Sequence, residues 1–406
     1  MRASSPNLSA RDRIWSRGRG RIRRARLASR SWRTISAQDY EIAFERFGGS
    51  FAVHPRVVDL VCSLAHRPAH YMGLACGSDI VAAAPLWGEH IVATRSALEA
   101  HDASQLIDVG DAELVLPIAD GVRIEPPFAA RMVSSLHVDD VAGLERDFCS
   151  YPGRESIASI SVVKGLRAGT SRQSPKSQKR RRLQIRRFQE RGGAFHPLRD
   201  CPAHELAAIY EMLYRKRWGE GAFLLGEDHL PLVFRELGDM LFGDMLLLDD
   251  RPVAMELVYE THTPRWLIAN GVQAGYDPAF IDLSVGSILL HHNLERLEEE
   301  AIAGGRMLRY SLGWSDAPYK AQWAVDEPAW RVRAPVAAAV AAARTRPDAA
   351  AAASSLRHMV ASVSFVLRRR AQRAAKALTR IGARGRTSAP LAESDPSAFI
   401  DQGIDE

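Results

Sequence analysis

The order of apolar segments between Met245 and Leu312 constrains the fold of this chain more than any other feature of its sequence. Two apolar strands flank an Asp249-Asp250-Arg251-Pro252 turn, which favours a β-hairpin. A third strand, a long helix closed by a Gly-Gly pair and a fourth strand follow, with predicted bounds Arg265–Val272, Val285–Ala303 and Met307–Leu312. This order predicts an α/β domain in which helices flank a mixed sheet.

Composition limits the class of protein. With 406 residues, 46% of them hydrophobic, the chain can build one large core or two medium ones. The four cysteines are far apart and lack the spacing of a zinc site or a disulfide framework, which predicts buried thiols in a reducing compartment. No run of about 18 apolar residues occurs, so no membrane-spanning helix is predicted and the expected location is cytoplasmic.

Changes in composition divide the chain into five parts. These are a basic leader, a first α/β domain, a polar loop with a basic helix, a second α/β domain and an Ala/Arg-rich tail, over residues 1–38, 39–168, 169–193, 194–333 and 334–406. Apolar periodicity predicts helices near 40–47, 56–66, 202–218 and 230–241. It also predicts four strands in the first domain, near 71–76, 80–87, 113–117 and 157–163.

The net charge of +6 comes from 54 basic and 48 acidic residues, and the excess is concentrated in three segments. The leader contains many arginines but only one acidic residue, Asp12. This composition fits a disordered leader or a misassigned start codon, or alternatively an anchor for an anionic surface. The helix over 178–191 fits a solvated linker, or binding of phosphate, RNA or lipid headgroups. RNA is the weaker of these interpretations because no platform of exposed aromatic residues accompanies the charge.

The third basic segment is a helix predicted over residues 354–381. Apolar residues such as Leu356, Val363 and Leu378 share one face, and arginines accompany them. A basic amphipathic helix binds a membrane interface because apolar burial and attraction to anionic lipid add. An anionic membrane surface is therefore a predicted partner, with packing of this helix on the folded domain as the alternative.

A candidate anion-binding turn precedes the long helix. Tyr276 ends one strand, and the small residues Ser284, Gly286 and Ser287 stand where the helix begins. Small residues leave backbone N–H groups accessible, and a helix N-terminus carries partial positive charge, so the turn suits a pyrophosphate. In the alternative, Ser284 is only a helix cap and Gly286 only a packing residue.

Three residues are candidates for catalysis. Tyr319 can protonate a leaving thiolate as a general acid, and the neighbouring Lys320 can hold a phosphate or carboxylate. Glu256 interrupts an apolar strand and shares a face with Glu260, so it is a candidate general base. The alternatives are a core position for Tyr319, a surface position for Lys320 and a salt bridge for Glu256.

No metal centre is predicted. His291 and His292 are adjacent on a helix and therefore point in different directions, and no carboxylate stands at a zinc-protease spacing. The acidic runs at Asp139, Asp249 and Glu298 are typical of turns or solvated helix faces.

Two sets of residues carry a family resemblance. The segment from Ser174 to Lys320, with its basic helix, Gly275-Tyr276-Asp277-Pro278 and Ser284-Val285-Gly286, resembles the CelD-like and Fem-like branches of the GNAT acyltransferase superfamily. More narrowly, three segments resemble the Mig-14 family: Phe47-Gly48-Gly49-Ser50-Phe51 with His54-Pro55, Tyr310-Ser311-Leu312-Gly313, and Tyr319-Lys320-Ala321-Gln322-Trp323. The resemblance covers residues 39–333.

The resemblance implies tandem GNAT-like halves, an acyl-CoA or aminoacyl-tRNA donor, and a role in bacterial resistance to cationic antimicrobial peptides at the inner membrane. The chain departs from the pattern at Ser311, where CelD-like sequences often have an acid, and in its reduced glycine loop. Two hypotheses follow: transfer of an acyl or aminoacyl group to an amine or hydroxyl of an envelope component, or a non-catalytic resistance factor that retains the fold.

Overall fold

A computed structural model describes residues 30–164, 174–219, 225 and 229–334. Most of the predicted leader and the predicted membrane-binding helix over 354–381 lie outside these residues, so both stay predictions. Within the described residues, no helix is long and apolar enough to cross a bilayer.

The helices and strands are labelled separately in chain order. The α-helices are α1 Ala37–Phe47, α2 Pro55–Leu64, α3 Arg95–Ala100, α4 Pro175–Glu190, α5 Ala203–Trp218, α6 His229–Glu236 and α7 Val285–Ala303. The strands are β1 Arg30–Thr34, β2 His70–Cys76, β3 Asp79–Trp87, β4 His90–Ile91, β5 Ala130–Val133, β6 Glu145–Arg146, β7 Ser159–Lys164, β8 Gly193–Pro197, β9 Leu241–Phe242, β10 Asp244–Leu248, β11 Arg251–His262, β12 Trp266–Tyr276, β13 Met307–Trp314, β14 Val325–Pro328 and β15 Trp330–Val332.

The largest sheet has the strand order β14-β7-β13-β12-β11-β10-β8, and β9 pairs with β11. Neighbouring strands are antiparallel except β12 and β13. These two are parallel because α7 connects them and returns the chain to the end of the sheet where β12 begins. Asp249 and Asp250 both have positive φ, 49° and 60°, which suits the tight turn between β10 and β11. The predicted hairpin, strand, long helix and strand are thus confirmed.

The two faces of this sheet pack against different elements. On one face, Val258, Leu267 and Leu308 pack with Leu294 and Leu297 of α7. On the other, Met255, Leu257 and Tyr259 of β11 pack with α5 and α6. Because side chains alternate across a strand, Leu257 and Val258 enter different cores. The predicted α/β class, a mixed sheet flanked by helices, is confirmed.

The N-terminal part contributes a smaller antiparallel sheet, β1-β2-β3-β4, and the chain's last described strand, β15, pairs with β5 and β6. The sequence placed residues Arg30–Thr34 in the predicted leader, but in the structure they form β1 and pair with β2. Trp32 anchors this strand through an edge contact with Phe128, with ring centroids 5.7 Å apart. The strand β7 joins the large sheet beside β13.

The prediction of a strand near 113–117 is wrong. Single bridges at Leu114 and Ile118 are its only strand-like pairings among the described residues. Distant backbone groups and distant side chains share the bonding of its buried backbone. Leu114 N–H donates to Met132 O at 2.8 Å, Val115 N–H to Ser50 Oγ at 3.0 Å and Leu116 N–H to His137 Nε2 at 2.8 Å. Apolar sequence predicted the burial of the segment, but scattered backbone and side-chain partners satisfy its polar groups without a continuous strand.

Candidate functional site

The parallel strands β12 and β13 part at the centre of the sheet. They pair from Trp266 opposite Met307 to Asn270 opposite Ser311, and then β12 continues beside β11 while Trp314 of β13 pairs with β7. A β-bulge marks the same place, since Leu257 and Val258 of β11 pair with Gln273 and Gly271 and leave Val272 unmatched. The result is a gap between two strands in which backbone groups lack a ladder partner.

The side chain of Asn270 lies at this gap. Asn270 is 1% exposed, and neither its amide oxygen nor its amide nitrogen has a hydrogen-bond partner among the described residues. Ser311 opposite is equally buried, and its hydroxyl accepts from Gly313 N–H at 3.3 Å. A buried amide without partners is uncommon and suggests that a ligand group completes its bonding.

Glu256 lies in a buried network beside the gap. The Tyr310 hydroxyl donates to Glu256 Oε1 at 2.6 Å, and Asn293 of α7 donates to Glu256 Oε2 at 3.3 Å. Burial raises the pKa of the Glu256 carboxyl, and these two hydrogen bonds oppose the rise. A Cβ at Gly271 would lie 3.0 Å from the Tyr310 hydroxyl, so glycine leaves that hydroxyl room at the point where the strands part.

Tyr319 and Tyr276 both contact the guanidinium of Arg217. Tyr319 interacts electrostatically with Glu256 and hydrogen-bonds Arg217, and burial raises its pKa to about 12. Arg217 donates to Ala274 O at 2.7 Å and stands 4.9 Å from the ring centroid of Tyr276. Tyr319 therefore keeps its proton at neutral pH and can donate it.

The ammonium of Lys320 forms hydrogen bonds to residues just before it in the chain. Its ammonium donates to Trp314 O and to Asp316 Oδ1, both at 2.7 Å, and its side chain is 12% exposed. The surface position offered as the alternative for Lys320 is therefore not what is observed. The lysine closes the segment between β13 and Tyr319, and a ligand would have to compete with Asp316 for it.

The segment predicted as an anion-binding turn leads directly into α7. Ser284 precedes α7 in a left-handed conformation, with φ 54° and ψ 38°, and makes no side-chain capping hydrogen bond. Its hydroxyl instead accepts from Gln184 of α4 at 3.2 Å. Gly286 and Ser287 lie in the first turn of α7, where backbone N–H groups have no intrahelical acceptor.

The basic helix α4 lies against this turn. Arg181 is 9% exposed and its guanidinium stands 5.0 Å from the ring centroid of Trp323. Arg191, at the end of α4, pairs with Asp282 at 3.0 Å, just before α7. The buried nitrogens Arg181 Nε, His291 Nε2 and Trp323 Nε1 have no hydrogen-bond partner within the described chain. Helix α4 therefore brings positive charge close to the start of α7.

One group of side chains has metal-ligand spacing. Oxygen or nitrogen atoms of Glu260, His262 and Glu300 lie within 4.8 Å of one another. Arg199 pairs with Glu260, however, and His262 Nε2 lies 3.1 Å from Glu300 Oε1. Burial, the largest cause, raises the pKa of Glu260 to about 7. Arg199 therefore places a positive charge beside Glu260, where a metal ion would otherwise do so.

Several site residues were missed by sequence reasoning. Asn270, Asn293, Arg217 and Gln184 come from four different elements, so no local pattern joins them. A signal existed only for Asn293, which is a polar residue among leucines on the buried face of α7.

The element order, the parted parallel strands and the turn before α7 define a GNAT-like α/β protein. The chain belongs to the Mig-14 family, whose sequence profile matches residues 54–332. No curated protein sequence matches the chain.

Three solved structures show a distant likeness. L-PGS from Bacillus licheniformis is 14% identical, with 76% of this chain and 96% of that chain covered and a TM-score of 0.39. A tandem GNAT protein from the clavulanic acid biosynthesis pathway is 13% identical, with 76% and 99% covered and a TM-score of 0.36. FemX is 8% identical, with 74% and 96% covered and a TM-score of 0.43.

Proposed function

We propose that this protein transfers an acyl or aminoacyl group to an envelope component and thereby contributes to bacterial resistance to cationic antimicrobial peptides. One observation carries the proposal: β12 and β13 part beside the uncapped first turn of α7. A gap between strands can accept an extended acyl carrier, and a helix N-terminus can hold the phosphates that such carriers share.

The donor is an acyl-CoA or an aminoacyl-tRNA, both of which are polyanions. The turn at Ser284, Gly286 and Ser287 supplies backbone N–H groups, and α4 adds arginines within reach of the same end of α7. Tyr276, at the end of β12, borders the path from this turn to the gap. The phosphates lie at α7 and the reacting carbonyl lies between the strands.

The site residues then have distinct roles. The acceptor nitrogen or oxygen attacks the acyl carbonyl, the new bond forms, and the C–S or C–O bond of the donor breaks. Tyr319 gives its proton to the leaving atom, and Glu256 receives the acceptor's proton. Asn270 donates its free amide N–H to the carbonyl oxygen as negative charge develops. Lys320 positions the turn that carries Tyr319.

Calorimetry with the full-length protein tests donor binding, with acetyl-CoA, palmitoyl-CoA and lysyl-tRNA as ligands. Gly286→Glu places a carboxylate in the first turn of α7, which favours the helix through its dipole but repels an anionic donor. We expect this variant to lose binding at least tenfold. Gln189→Glu on the exposed face of α4 introduces the same charge and should bind as the unchanged protein does. Absence of binding by all three ligands would refute the proposal.

Resistance assays test whether the proposed proton transfer by Tyr319 is needed for protection. Tyr319→Phe should keep donor binding and lose protection against a cationic peptide, because only the proton donor is removed. Full protection by this variant would instead indicate the non-catalytic resistance factor.

Peripheral membrane association is the remaining part of the proposal. Deletion of residues 354–386 should abolish binding to vesicles containing phosphatidylglycerol. Unchanged vesicle binding would remove the proposed role of the predicted amphipathic helix.

A further inference from the structure

A loop of the N-terminal half lies across the parted strands, on the sheet face opposite α7. The loop is Asp108-Val109-Gly110-Asp111. A Cβ at Gly110 would stand 2.9 Å from Val272 O, and one at Gly313 would stand 3.5 Å from Asp111 Cβ. Gly110 has φ +54°, so glycine both avoids backbone strain and permits this approach. The loop therefore borders β12 and β13 where they separate.

Beside this loop is a cavity of about 360 Å³ that both halves of the chain line. Its volume falls in the range of about 300–1,000 Å³ that is common for small-molecule sites. The α5 side contributes Tyr210 and Tyr214, whose ring centroids are 5.8 Å apart, and β12 contributes Val272 and Gln273. Asn270, with its unpartnered buried amide, lies two residues before Val272 on the same strand.

The cavity wall carries more acidic than basic side chains. Asp108, Asp111 and Glu99 line it together with one basic residue, Arg95. Arg95 is already engaged, since its Nη1 lies 3.2 Å from Asp111 and its Nε lies 2.9 Å from Glu99. Three carboxylates against one guanidinium leave a local excess of two negative charges when all are ionised.

Asp108 is the carboxylate of this wall without a direct ion pair, although Arg95 is close enough to interact with it electrostatically. It accepts from Gly110 N–H at 3.0 Å and from the Tyr210 hydroxyl at 3.2 Å, and no basic side chain of the described residues forms an ion pair with it. Burial raises the pKa of this carboxyl. A cation beside Asp108 would offset the cost of burying its charge, and the faces of Tyr210 and Tyr214 attract cations as well.

We infer that this cavity binds the acceptor of the transfer, and that the acceptor is a primary amine bound through Asp108. The inference rests on the proposed function and narrows it, because an ammonium offsets the negative charge of the carboxylates whereas a hydroxyl can only donate a hydrogen bond to them. In the transfer, the ammonium gives up one proton to solvent, and its neutral nitrogen bonds to the acyl carbon. The nitrogen then loses a second proton to Glu256, the C–S or C–O bond of the donor breaks, and Tyr319 protonates the leaving atom. Donor and acceptor thus approach the gap from opposite faces of the sheet.

Two matched probes test this inference: phenethylamine and 2-phenylethanol, which differ only in the ammonium and hydroxyl group. Binding to the full-length protein is measured by ligand-observed NMR titration. We expect phenethylamine to bind at least tenfold more tightly than 2-phenylethanol, a difference of about 1.4 kcal/mol. Equal binding of the two probes, or no binding of either, would overturn the inference.

Asp108→Asn keeps an oxygen to accept from Gly110 N–H and removes the charge, while its amide nitrogen replaces the oxygen beside Tyr210 and can donate to that hydroxyl. This variant should abolish the preference for the amine, with an unchanged urea midpoint showing that it folds. Asp102→Asn, at an exposed position, is the control and should keep the preference. A preference that survives Asp108→Asn would contradict the inference.

Donor calorimetry on the same preparations separates the two claims. Donor binding without amine preference refutes only the acceptor site. Amine preference lost in Asp108→Asn, with no donor binding, supports the amine site and refutes the transfer function.

Discussion

Arg309 of β13 makes a deeply buried ion pair with Glu113 of the N-terminal half and a second one with Glu327 of β14. Its Nε donates to Glu113 Oε2 at 2.7 Å, and its Nη2 donates to Glu327 Oε2 at 2.8 Å and to Ser135 Oγ at 3.2 Å. The side chains of Arg309 and Glu113 are 1% and 0% exposed. Glu327 also pairs with Lys164, whereas Glu113 has no second basic partner among the described residues.

Substitution Arg309→Met should therefore leave Glu113 buried and unpaired. Breaking a buried pair from one side costs about 3–5 kcal/mol. With a urea m-value of about 3 kcal/mol/M, the midpoint should fall by about 1–1.7 M. Adding Glu113→Gln should recover part of the loss, because the unpaired charge is then gone.

Urea unfolding followed by circular dichroism and tryptophan fluorescence measures this effect. The control is Arg265→Met, which breaks an exposed pair with Asp120 at 3.3 Å, also between the two halves, with side chains 53% and 69% exposed. An exposed pair contributes at most about 1 kcal/mol. If Arg309→Met shifts the midpoint no more than Arg265→Met does, the buried pair does not stabilise the contact between the halves.

Two further predictions concern stability. Gly48→Ala should cost several kcal/mol, because a Cβ at this position, with φ +75°, would stand 2.3 Å from Thr263 Cβ. Gly77→Ala, with φ +65° and open space, should cost only the left-handed strain of about 1–2 kcal/mol; equal thermal shifts would contradict this. Burial and the nearby Arg309 lower the pKa of His137 from 6.5 to about 4 in the folded protein. As the pH drops from 6.5 towards 4, the unfolded chain therefore binds a proton at this histidine before the folded chain does, and the free energy of unfolding falls. His137→Gln should flatten that part of the urea-midpoint profile, and an unchanged slope would show that other groups cause it.

The candidate site was only partly predictable from sequence. Ser284, Gly286 and Ser287 could be placed because a strand-to-helix turn is a local feature. The positions of Tyr319 beside Arg217 and of Glu256 beside Tyr310 could not be predicted, since each contact joins elements far apart in the chain. The roles proposed for these residues stay predictions.

Local periodicity determined the order of β10, β11, β12, α7 and β13, because alternation and helical spacing are set by neighbours along the chain. Tertiary structure decided the rest. It gave the 113–117 segment scattered backbone and side-chain partners instead of a strand, and it laid the basic helix α4 against the start of α7. It also brought the loop that carries Asp108 to the gap where Asn270 and Ser311 end their pairing. These features depend on contacts between distant residues, and the sequence of each segment alone does not specify its partner.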